Sequence, residues 1–176
     1  MLNVNLELVK PEDDYFTLAE RWGIPHIRAR WCCRALKVNP IRKFLLNHKD
    51  KIVFDGIRAD ESRQRTKRKF IEWHKIFECF VCHPILYWNN EDKEKYIKKM
   101  SLSINPAYKK GFKRASECWC GVFKSPKEFE ILYNNYPKFF DKLVKLESMQ
   151  KSGFAYIWSN GKKIYLKDLK EKICST

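Results

Sequence analysis

A short apolar run followed at once by a glycine and three arginines constrains this chain more than any other stretch. Ile52-Val53-Phe54 predicts a short buried strand, and Asp55-Gly56 follows where that strand ends. The next residues, Ile-Arg-Ala-Asp-Glu-Ser-Arg-Gln-Arg over 57–65, carry three guanidiniums. Ligands of open α/β sheets dock at strand ends, and the rigid fork of an arginine matches the oxygens of phosphate or sulfate. The pattern predicts an oxyanion site in which Glu61 holds one of the arginines; the alternative is a basic turn that only faces water.

Strand and helix patterns alternate along the first hundred residues. Apolar and polar residues alternate over Asn3–Val9, which predicts a strand with one buried face. A helix is predicted between Pro11 and Gly23, and the later segments predict a helix over Cys33–Asn47 interrupted by Pro40, the strand 52–54, a core strand over Phe77–Val81 and a helix capped by Asn90. This order predicts an α/β fold with a mostly parallel sheet.

The last third of the chain shows helix and hairpin signals. Ser125-Pro126-Lys127-Glu128 is a capping box with proline at the first helical position. A longer helix is predicted from Pro137 to about Ser152, where Gly153 ends it, and Asn160-Gly161 predicts the turn of a hairpin within Ile157–Leu166. We therefore expect one domain over 1–152 and a tail over 153–176.

Composition limits the class of protein and of partner. The 176 residues are 44% hydrophobic, which suits a packed domain, and the formal charge of +15 favours anionic partners such as a nucleotide, RNA or an acidic protein surface. No apolar run is long enough to span a membrane and the first residues do not resemble a signal peptide, so a cytoplasmic protein is expected. Seven cysteines, an odd number, favour metal-binding thiolates in a reducing compartment over a disulfide framework.

Several motifs stand in a fixed order around the arginine segment. They are Arg30-Trp31-Cys32-Cys33-Arg34-Ala35-Leu36-Lys37, the segment from Asp55 to Arg65, His83-Pro84-Ile85-Leu86-Tyr87-Trp88, Asn105-Pro106-Ala107-Tyr108-Lys109-Lys110-Gly111-Phe112-Lys113-Arg114 and Cys118-Trp119-Cys120. Over roughly residues 1 to 150 the chain resembles the phosphoadenosine phosphosulfate (PAPS) reductase family of the PP-loop superfamily. The resemblance implies a Rossmann-like, adenine nucleotide alpha hydrolase-like domain that binds an adenylated sulfate and supports its reduction to sulfite, an oxidoreductase of sulfur metabolism.

One part of the family pattern has no counterpart here. Members begin with a strand and a Ser-Gly-Gly-x-Asp-Ser loop whose backbone amides hold the nucleotide phosphates, whereas the six glycines of this chain are never adjacent. The resemblance therefore covers the C-terminal portion of the domain and implies an incomplete fold with an open sheet edge. We expect a partner chain that supplies the PP-loop, or self-association across that edge.

The resemblance also implies roles for individual residues. Four match positions that meet the phosphate or sulfate of the nucleotide: Lys37, Arg58, Arg65 and Arg114. Glu61 and Ser62 match positions that orient the loop. The aromatic residues Trp31, Trp88 and Tyr108 flank these motifs; Tyr108 is a candidate substrate contact, and core packing is the alternative for Trp88.

The cysteines carry a further implication. A subset of the family holds a four-iron four-sulfur (4Fe-4S) cluster on four cysteines. The resemblance implies Cys32, Cys33 and Cys118 as three of these ligands. Gly121 stands where the fourth is expected, and Cys120 lies one residue early. A zinc ion on the same thiolates and no metal at all are the alternatives.

The other cysteines predict no metal site. Cys79 and Cys82 lie in an apolar run and are expected to be core residues. Cys174 is expected on a mobile tail without the surrounding family motif.

Two other functions fit the same residues. A PP-loop sulfurtransferase that acts on RNA would explain the positive charge, and a non-catalytic half-domain that binds an anion or a nucleic acid would explain the missing loop. No pair of carboxylates or histidines identifies a general base.

Overall fold

The computed structural model describes residues 5–26, 28–112, 125–150 and 153–175. The α-helices in these ranges are α1 (Tyr15–Trp22), α2 (Trp31–Cys33), α3 (Asn39–Leu46), α4 (Asn90–Lys99), α5 (Pro106–Lys109), α6 (Pro126–Asn135), α7 (Pro137–Ser148) and α8 (Leu166–Cys174). The strands are β1 (Ile52–Phe54), β2 (Ile71–His74), β3 (Cys79–Cys82), β4 (Ile157–Ser159) and β5 (Lys162–Ile164). A π-helical turn covers Arg34–Val38, and 3₁₀ turns cover Ala59–Glu61 and Arg65–Lys67.

The chain divides into two units. The first comprises Met1–Lys10 and Val38–Ile104, and the second comprises Pro11–Lys37 and Asn105–Thr176. None of the three boundaries, after Lys10, Lys37 and Ile104, falls at residue 152, and the expected division into residues 1–152 and a tail stays a prediction.

The first unit is built on a three-stranded sheet of order β1-β3-β2. β1 is parallel to β3, with Ile52 opposite Phe80, while β2 is antiparallel to β3, with Trp73 opposite Phe80. The strand predicted over 52–54 is confirmed, but the prediction that it is buried is wrong, because Ile52 and Phe54 are 60% and 68% exposed. The expectation of a mostly parallel sheet is wrong for these strands, because the turn over 75–78 joins β2 directly to β3 and a connection that short allows only antiparallel pairing. A Rossmann-like topology without its PP-loop segment stays a prediction.

The first strand predicted from sequence is not formed in its described part. Residues 5–10 adopt no regular structure, and Leu6 and Leu8 are exposed. Alternation makes a segment suitable for a sheet, but a strand forms only where a neighbouring strand supplies hydrogen bonds. Residues 3 and 4 of the prediction lie outside the described ranges.

Caps and proline positions explain the helix bounds. The N-cap of α4 is Asn89, one residue before the predicted Asn90, and it forms a capping box with Asp92. Pro40 lies in the first turn of α3, after the π-helical turn, where a missing backbone N–H is tolerated. The helical stretch expected from Cys33 to Asn47 is therefore formed, with its irregularity just before the proline.

The second unit packs helices and a small hairpin around one apolar cluster. Buried members include Phe129, Phe140, Leu143, Ile157 and Leu166. The predicted capping box of Ser125 and Glu128 opens α6, whereas α7 ends at Ser148, earlier than predicted. Since β4, β5 and α8 contribute to this cluster, residues 157–174 are part of the core of this unit.

One buried carboxylate ties the hairpin to α7. Glu147 Oε1 accepts a hydrogen bond of 2.9 Å from the backbone N–H of Tyr156, and Oε2 accepts one of 2.7 Å from that of Leu166 at the start of α8. Burial raises the pKa of the Glu147 carboxyl above its ordinary value, although these two hydrogen bonds act in the opposite direction. The predicted turn is confirmed, with Asn160 and Gly161 both at positive φ, 49° and 75°.

Candidate functional site

The arginine segment begins with a side chain that is fixed inside the first unit. Arg58 is 7% exposed. Its Nη1 lies 3.2 Å from Asp60 Oδ2, its Nε lies 3.4 Å from Glu61 Oε1, and its Nη2 donates a 3.0 Å hydrogen bond to Asn90 Oδ1. All three nitrogens of the guanidinium therefore have a partner in the protein, and Arg58 anchors the segment.

The backbone explains how the two carboxylates reach Arg58. Arg58 itself is extended, and the 3₁₀ turn over Ala59–Glu61 brings the two acidic residues back beside its side chain. The N–H of Ala59 donates a 2.8 Å hydrogen bond to the carbonyl oxygen of Leu86, which joins the segment to the chain after β3. The start of the segment is thus held by both its side chain and its backbone.

Glu61 serves two arginines. Besides its contact with Arg58, Glu61 Oε2 forms an ion pair with the guanidinium of Arg65. The prediction that Glu61 holds an arginine in place is confirmed, and the number of arginines is two. The side chain of Arg65 remains 41% exposed, and Arg63 is also exposed. These two guanidiniums are the ones in the segment that face solvent.

A tight turn sets the spacing of those guanidiniums. The carbonyl oxygen of Ser62 accepts hydrogen bonds from the N–H groups of Arg65 (2.9 Å) and Thr66 (3.3 Å). The hydroxyl of Thr66 donates a 2.9 Å hydrogen bond to the carbonyl oxygen of Arg63. Ser62 therefore shapes the segment through its backbone.

Gly56 leaves space beside the segment. A Cβ atom at this position would lie 3.8 Å from Ile85 Cδ1, which is an ordinary contact. Packing within the described chain does not require glycine here, and the expectation that a ligand passes close to this backbone stays a prediction.

The C-terminal ends of β1 and β3 and the start of β2 meet at a histidine that the sequence analysis did not select. His83 is 2% exposed, and its Nδ1 lies 2.6 Å from Asp55 Oδ1. Its Nε2 lies 3.7 Å from Glu72 Oε1, too far for a hydrogen bond, and has no hydrogen-bond partner. Asp55 Oδ1 also accepts a 3.0 Å hydrogen bond from the N–H of Ile57. The imidazole therefore helps to hold the first residues of the arginine segment.

Local hydrogen bonds favour the ionised form of Glu72. Burial acts to raise the pKa of its carboxyl, but the N–H of Lys69 and the guanidinium of Arg68 both donate to it. Their sum leaves the pKa of Glu72 below its ordinary value. A carboxylate is thus kept beside the buried face of His83.

The remaining predicted nucleotide contacts lie in the second unit or outside the described residues. Lys37 is exposed in the π-helical turn, and Tyr108 is exposed in α5. Arg114 lies outside the described ranges. Trp31 donates a 3.0 Å hydrogen bond from Nε1 to the carbonyl oxygen of Gly23 and stacks on Tyr15, so it has a packing role within this unit.

Of the predicted metal ligands, Cys32 and Cys33 are described. Both lie in α2, with Cys32 buried and Cys33 exposed. Cys118 and Cys120 lie outside the described ranges. Within those ranges, no group of three or more His, Cys, Asp or Glu side chains converges in a way that could hold a metal ion.

The other cysteines divide into core and surface. Cys79 and Cys82 are buried in β3, as expected of small apolar side chains. The mobile tail expected at Cys174 is wrong: this residue ends α8, which packs on α6 and α7, and its Sγ lies 3.2 Å from the hydroxyl of Tyr133. Trp88 packs against Tyr96 at 5.1 Å between ring centroids, which favours the packing role over a ligand contact.

The sequence analysis placed Asp55 and His83 within motifs but gave their side chains, and that of Asn90, no role in the site. Asp55 and His83 each follow a strand that it did predict, and the ends of parallel neighbours share an edge, so this signal was available. Asn90 gave no such signal, because its bond to Arg58 depends on where α4 lies.

None of the helices within the described ranges has both the length and the apolar character needed to cross a membrane.

Comparison with known proteins gives the family. A model of the phosphoadenosine phosphosulfate reductase domain matches residues 1–120. Uncharacterized protein MJ0973 of Methanocaldococcus jannaschii is 29% identical over 143 residues, which are 81% of this chain and 34% of that protein. Adenosine 5′-phosphosulfate reductase of Bacillus thuringiensis is 31% identical over 81 residues, which are 46% of this chain and 34% of that protein. The chain thus spans about a third of the length of these relatives. With more than half of its residues matched by the family model, the chain belongs to the phosphoadenosine phosphosulfate reductase domain family.

Proposed function

We propose that the chain binds an adenylated sulfate through its arginine segment and supports reduction of that sulfate to sulfite as part of a sulfonucleotide reductase. The observation that carries this proposal is the fixing of Arg58 by Asp60, Glu61 and Asn90. Because that side chain is satisfied internally, the residues that follow keep a defined conformation and present exposed guanidiniums. Such fixed donors suit a rigid oxyanion better than mobile lysines do.

The family and one named relative support the choice of ligand. Members of this family act on adenylated sulfates, and the Bacillus thuringiensis relative is named for adenosine 5′-phosphosulfate. In this proposal Arg65 and Arg63 contact the sulfate or phosphate oxygens, while Arg58, Glu61 and Ser62 hold the segment. Lys37, Tyr108 and Arg114 are proposed as further contacts on the grounds of the family pattern alone.

Calorimetric titration with adenosine 5′-phosphosulfate and with its 3′-phosphorylated form tests the ligand. A charge-assisted bidentate contact contributes about 1.5–3 kcal/mol, so Arg65→Ala should weaken binding by roughly ten- to a hundredfold. Arg42→Ala is the matched control, because Arg42 is a half-exposed arginine of the same unit that is bonded to Glu78 and to the carbonyl oxygen of Ile76. Equal affinity of the wild type and Arg65→Ala would show that the site assignment is wrong.

Reduction to sulfite breaks the bond between the sulfur and the phosphate oxygen, releases the nucleotide, and takes two electrons, which an external dithiol would supply as it becomes a disulfide. The proposed helper is an iron-sulfur cluster held by Cys32, Cys33, Cys118 and Cys120, with zinc as the alternative. Two adjacent thiols at the start of one helix suit soft metals, but they are half of the four ligands that a cluster of four irons takes. When bound, such a cluster would supply a thiolate-ligated iron centre that can exchange single electrons.

Metal analysis of anaerobically purified protein tests this part. Iron with inorganic sulfide and a visible absorbance band at about 400 nm would support the cluster, and zinc without iron would support the alternative. Cys33→Ser should remove the metal, whereas Cys174→Ser, which changes another exposed thiol, should retain it. Wild-type protein without either metal would refute both forms of the proposal.

Complete turnover is proposed to need a second chain or a second copy that supplies the nucleotide-binding loop. Sulfite release from adenylated sulfate and a dithiol, measured with this chain alone, tests that requirement. Turnover by a monomer would remove it.

The formal charge of +15 favours a second candidate, a sulfurtransferase that acts on RNA. The prediction is tight binding of transfer RNA that weakens steeply as salt increases. Salt-insensitive or undetectable RNA binding, together with tight binding of the sulfonucleotide, would exclude it.

A further inference from the structure

One face of the three-stranded sheet is apolar and open to solvent. Its side chains alternate with half-buried ones along β1 and β2, and on β3 Phe80 lies between the buried Cys79 and Val81. The exposed apolar face consists of Ile52, Phe54, Phe80, Ile71 and Trp73, which are between 50% and 68% exposed. Phe80 on the central strand lies opposite both Ile52 and Trp73, and the rings of Trp73 and Phe80 are 5.3 Å apart. These side chains therefore form one continuous surface.

The opposite face of the same sheet is covered. Val81, which alternates with Phe80 along β3, is buried. Mixed sheets with an antiparallel edge strand, such as this one, are common in α/β domains, where helices cover the sheet faces, and large contiguous apolar patches on a protein surface mark interaction sites. In the described ranges β1 also pairs on one side only, with β3. Both observations indicate that this sheet is completed by another polypeptide segment.

We infer that the exposed apolar face binds an amphipathic helix with an acidic polar face, contributed by a partner polypeptide. The helical form follows from the sheet, since a layer of helices is what covers a parallel pair of strands in α/β domains. The inference does not depend on the proposed function, because it concerns a surface and not the nucleotide.

Charge determines the chemistry of this partner. Lys69 and Lys75 lie just before and just after β2, both are exposed, and neither forms an ion pair with a described residue. Three acids of these strands and their turns are already bonded: Glu72 to Arg68, Glu78 to Arg42 and Asp55 to His83. Asp50, just before β1, lies between Lys49 and Lys51 in the sequence, so the charge there is also net positive. Unpaired cations beside an apolar surface favour an acidic helix, and the formal charge of +15 on every copy opposes a second copy of this chain.

A designed peptide tests the surface with the full chain. The probe is a fluorescein-labelled helix of about 20 residues with leucine on one face and glutamate on the other. One control peptide has the same composition in scrambled order, and another has lysine in place of glutamate. We expect saturable binding of the acidic helix in fluorescence anisotropy, and binding of both controls at least about tenfold weaker.

Matched variants locate the binding. Trp73→Ala and Phe80→Ala should each weaken binding of the acidic helix at least about tenfold, the effect of truncating a central aromatic contact. Trp158→Ala should leave it unchanged, because Trp158 is an equally exposed tryptophan, at 62%, on the β4–β5 hairpin. Circular dichroism of each variant confirms that the fold is retained.

Three results would overturn the inference. One is equal binding of the three peptides, or binding that none of the aromatic variants changes. Another is a stable dimer in sedimentation that Phe80→Lys dissociates, which would make a second copy the occupant. The last uses the conservative variant Trp73→Phe and the quenching of tryptophan fluorescence by acrylamide. Removing an exposed Trp73 should lower the quenchable fraction, so equal quenching of the wild type and Trp73→Phe would show that this face is covered in the isolated chain.

Discussion

Replacing Arg58 should destabilise the first unit far more than replacing another arginine of the same unit. In Arg58→Ala the fold loses contacts to Asp60, Glu61 and Asn90, each contributing about 1 kcal/mol net. The carboxylates of Asp60 and Glu61 are about one third exposed, so water can solvate them once the arginine is removed. The loss of unfolding free energy therefore stays near the sum of these contacts and below the cost of leaving a fully buried charge without its partner. We expect the free energy of unfolding to fall by about 3 kcal/mol.

Urea unfolding followed by tryptophan fluorescence measures this change. Arg42→Ala, with an exposed ion pair, should lower the free energy of unfolding by less than about 1 kcal/mol. Arg58→Lys should recover only part of the loss, since an ammonium group cannot reach three partners in the fixed geometry of a guanidinium. A loss in Arg58→Ala no larger than that in Arg42→Ala would refute the anchoring role.

The remaining predictions concern pH and backbone conformation. The pKa of Glu147 is higher in the folded than in the unfolded protein, so the contribution of Glu147 to stability is complete below the unfolded pKa and is lost as pH rises through the folded pKa. Urea unfolding of the wild type and Glu147→Gln, compared as the pH is raised through the acidic range, should show the difference in unfolding free energy decline. A difference that stays constant with pH would contradict this prediction. Glu72 has the opposite sign, because its pKa is lower in the folded protein: its contribution to stability is present above the unfolded pKa and is lost as pH falls through the folded pKa. The difference in unfolding free energy between the wild type and Glu72→Gln should therefore shrink as pH falls, and a difference that grows in acid would contradict this prediction. At Gly161, φ is 75° and an added Cβ would have nothing within 4 Å, so Gly161→Ala should lower the unfolding free energy by about 1 kcal/mol, measured by thermal unfolding, from backbone strain alone. Gly56→Ala should leave the unfolding free energy unchanged and weaken sulfonucleotide binding in calorimetry. An unchanged affinity of Gly56→Ala would show that no ligand passes close to this backbone.

Local signals in the sequence predicted the elements that depend on local chemistry. The apolar run 52–54 forms β1, Ser125 and Glu128 form the capping box of α6, and Asn160-Gly161 forms the hairpin turn. In each case a few adjacent residues satisfy their own geometric requirement. The elements were therefore predictable without knowledge of the tertiary structure.

Elements that depend on distant partners were not predictable in this way. Residues 5–9 alternate like a strand but have no neighbouring strand among the described residues, and β2 forms because the turn after it pairs it with β3. The helix α8 is short, and it is stabilised by the burial of Leu166 and Leu169 against the second unit's core. Periodicity reports which face a segment can bury, and tertiary packing decides whether it does.

The site shows the same division. The arginines and Glu61 were visible in sequence because they are close together in it. The roles within that set were not, because the position of Asn90 and the fold of the 3₁₀ turn decide that Arg58 points inward while Arg65 remains at the surface. A basic cluster in a sequence therefore predicts that a site exists more reliably than it predicts which member contacts the ligand.

The sharing of one carboxylate by two guanidiniums has a consequence for selectivity. Any anion that binds Arg65 must compete with Glu61, a resident anion that is tethered to the same turn. A tethered competitor acts like a high local concentration of a monovalent ion, so chloride and acetate should displace it poorly. A ligand with several negative oxygens can engage Arg65 and Arg63 together, and the segment should therefore discriminate by valence before it discriminates by shape.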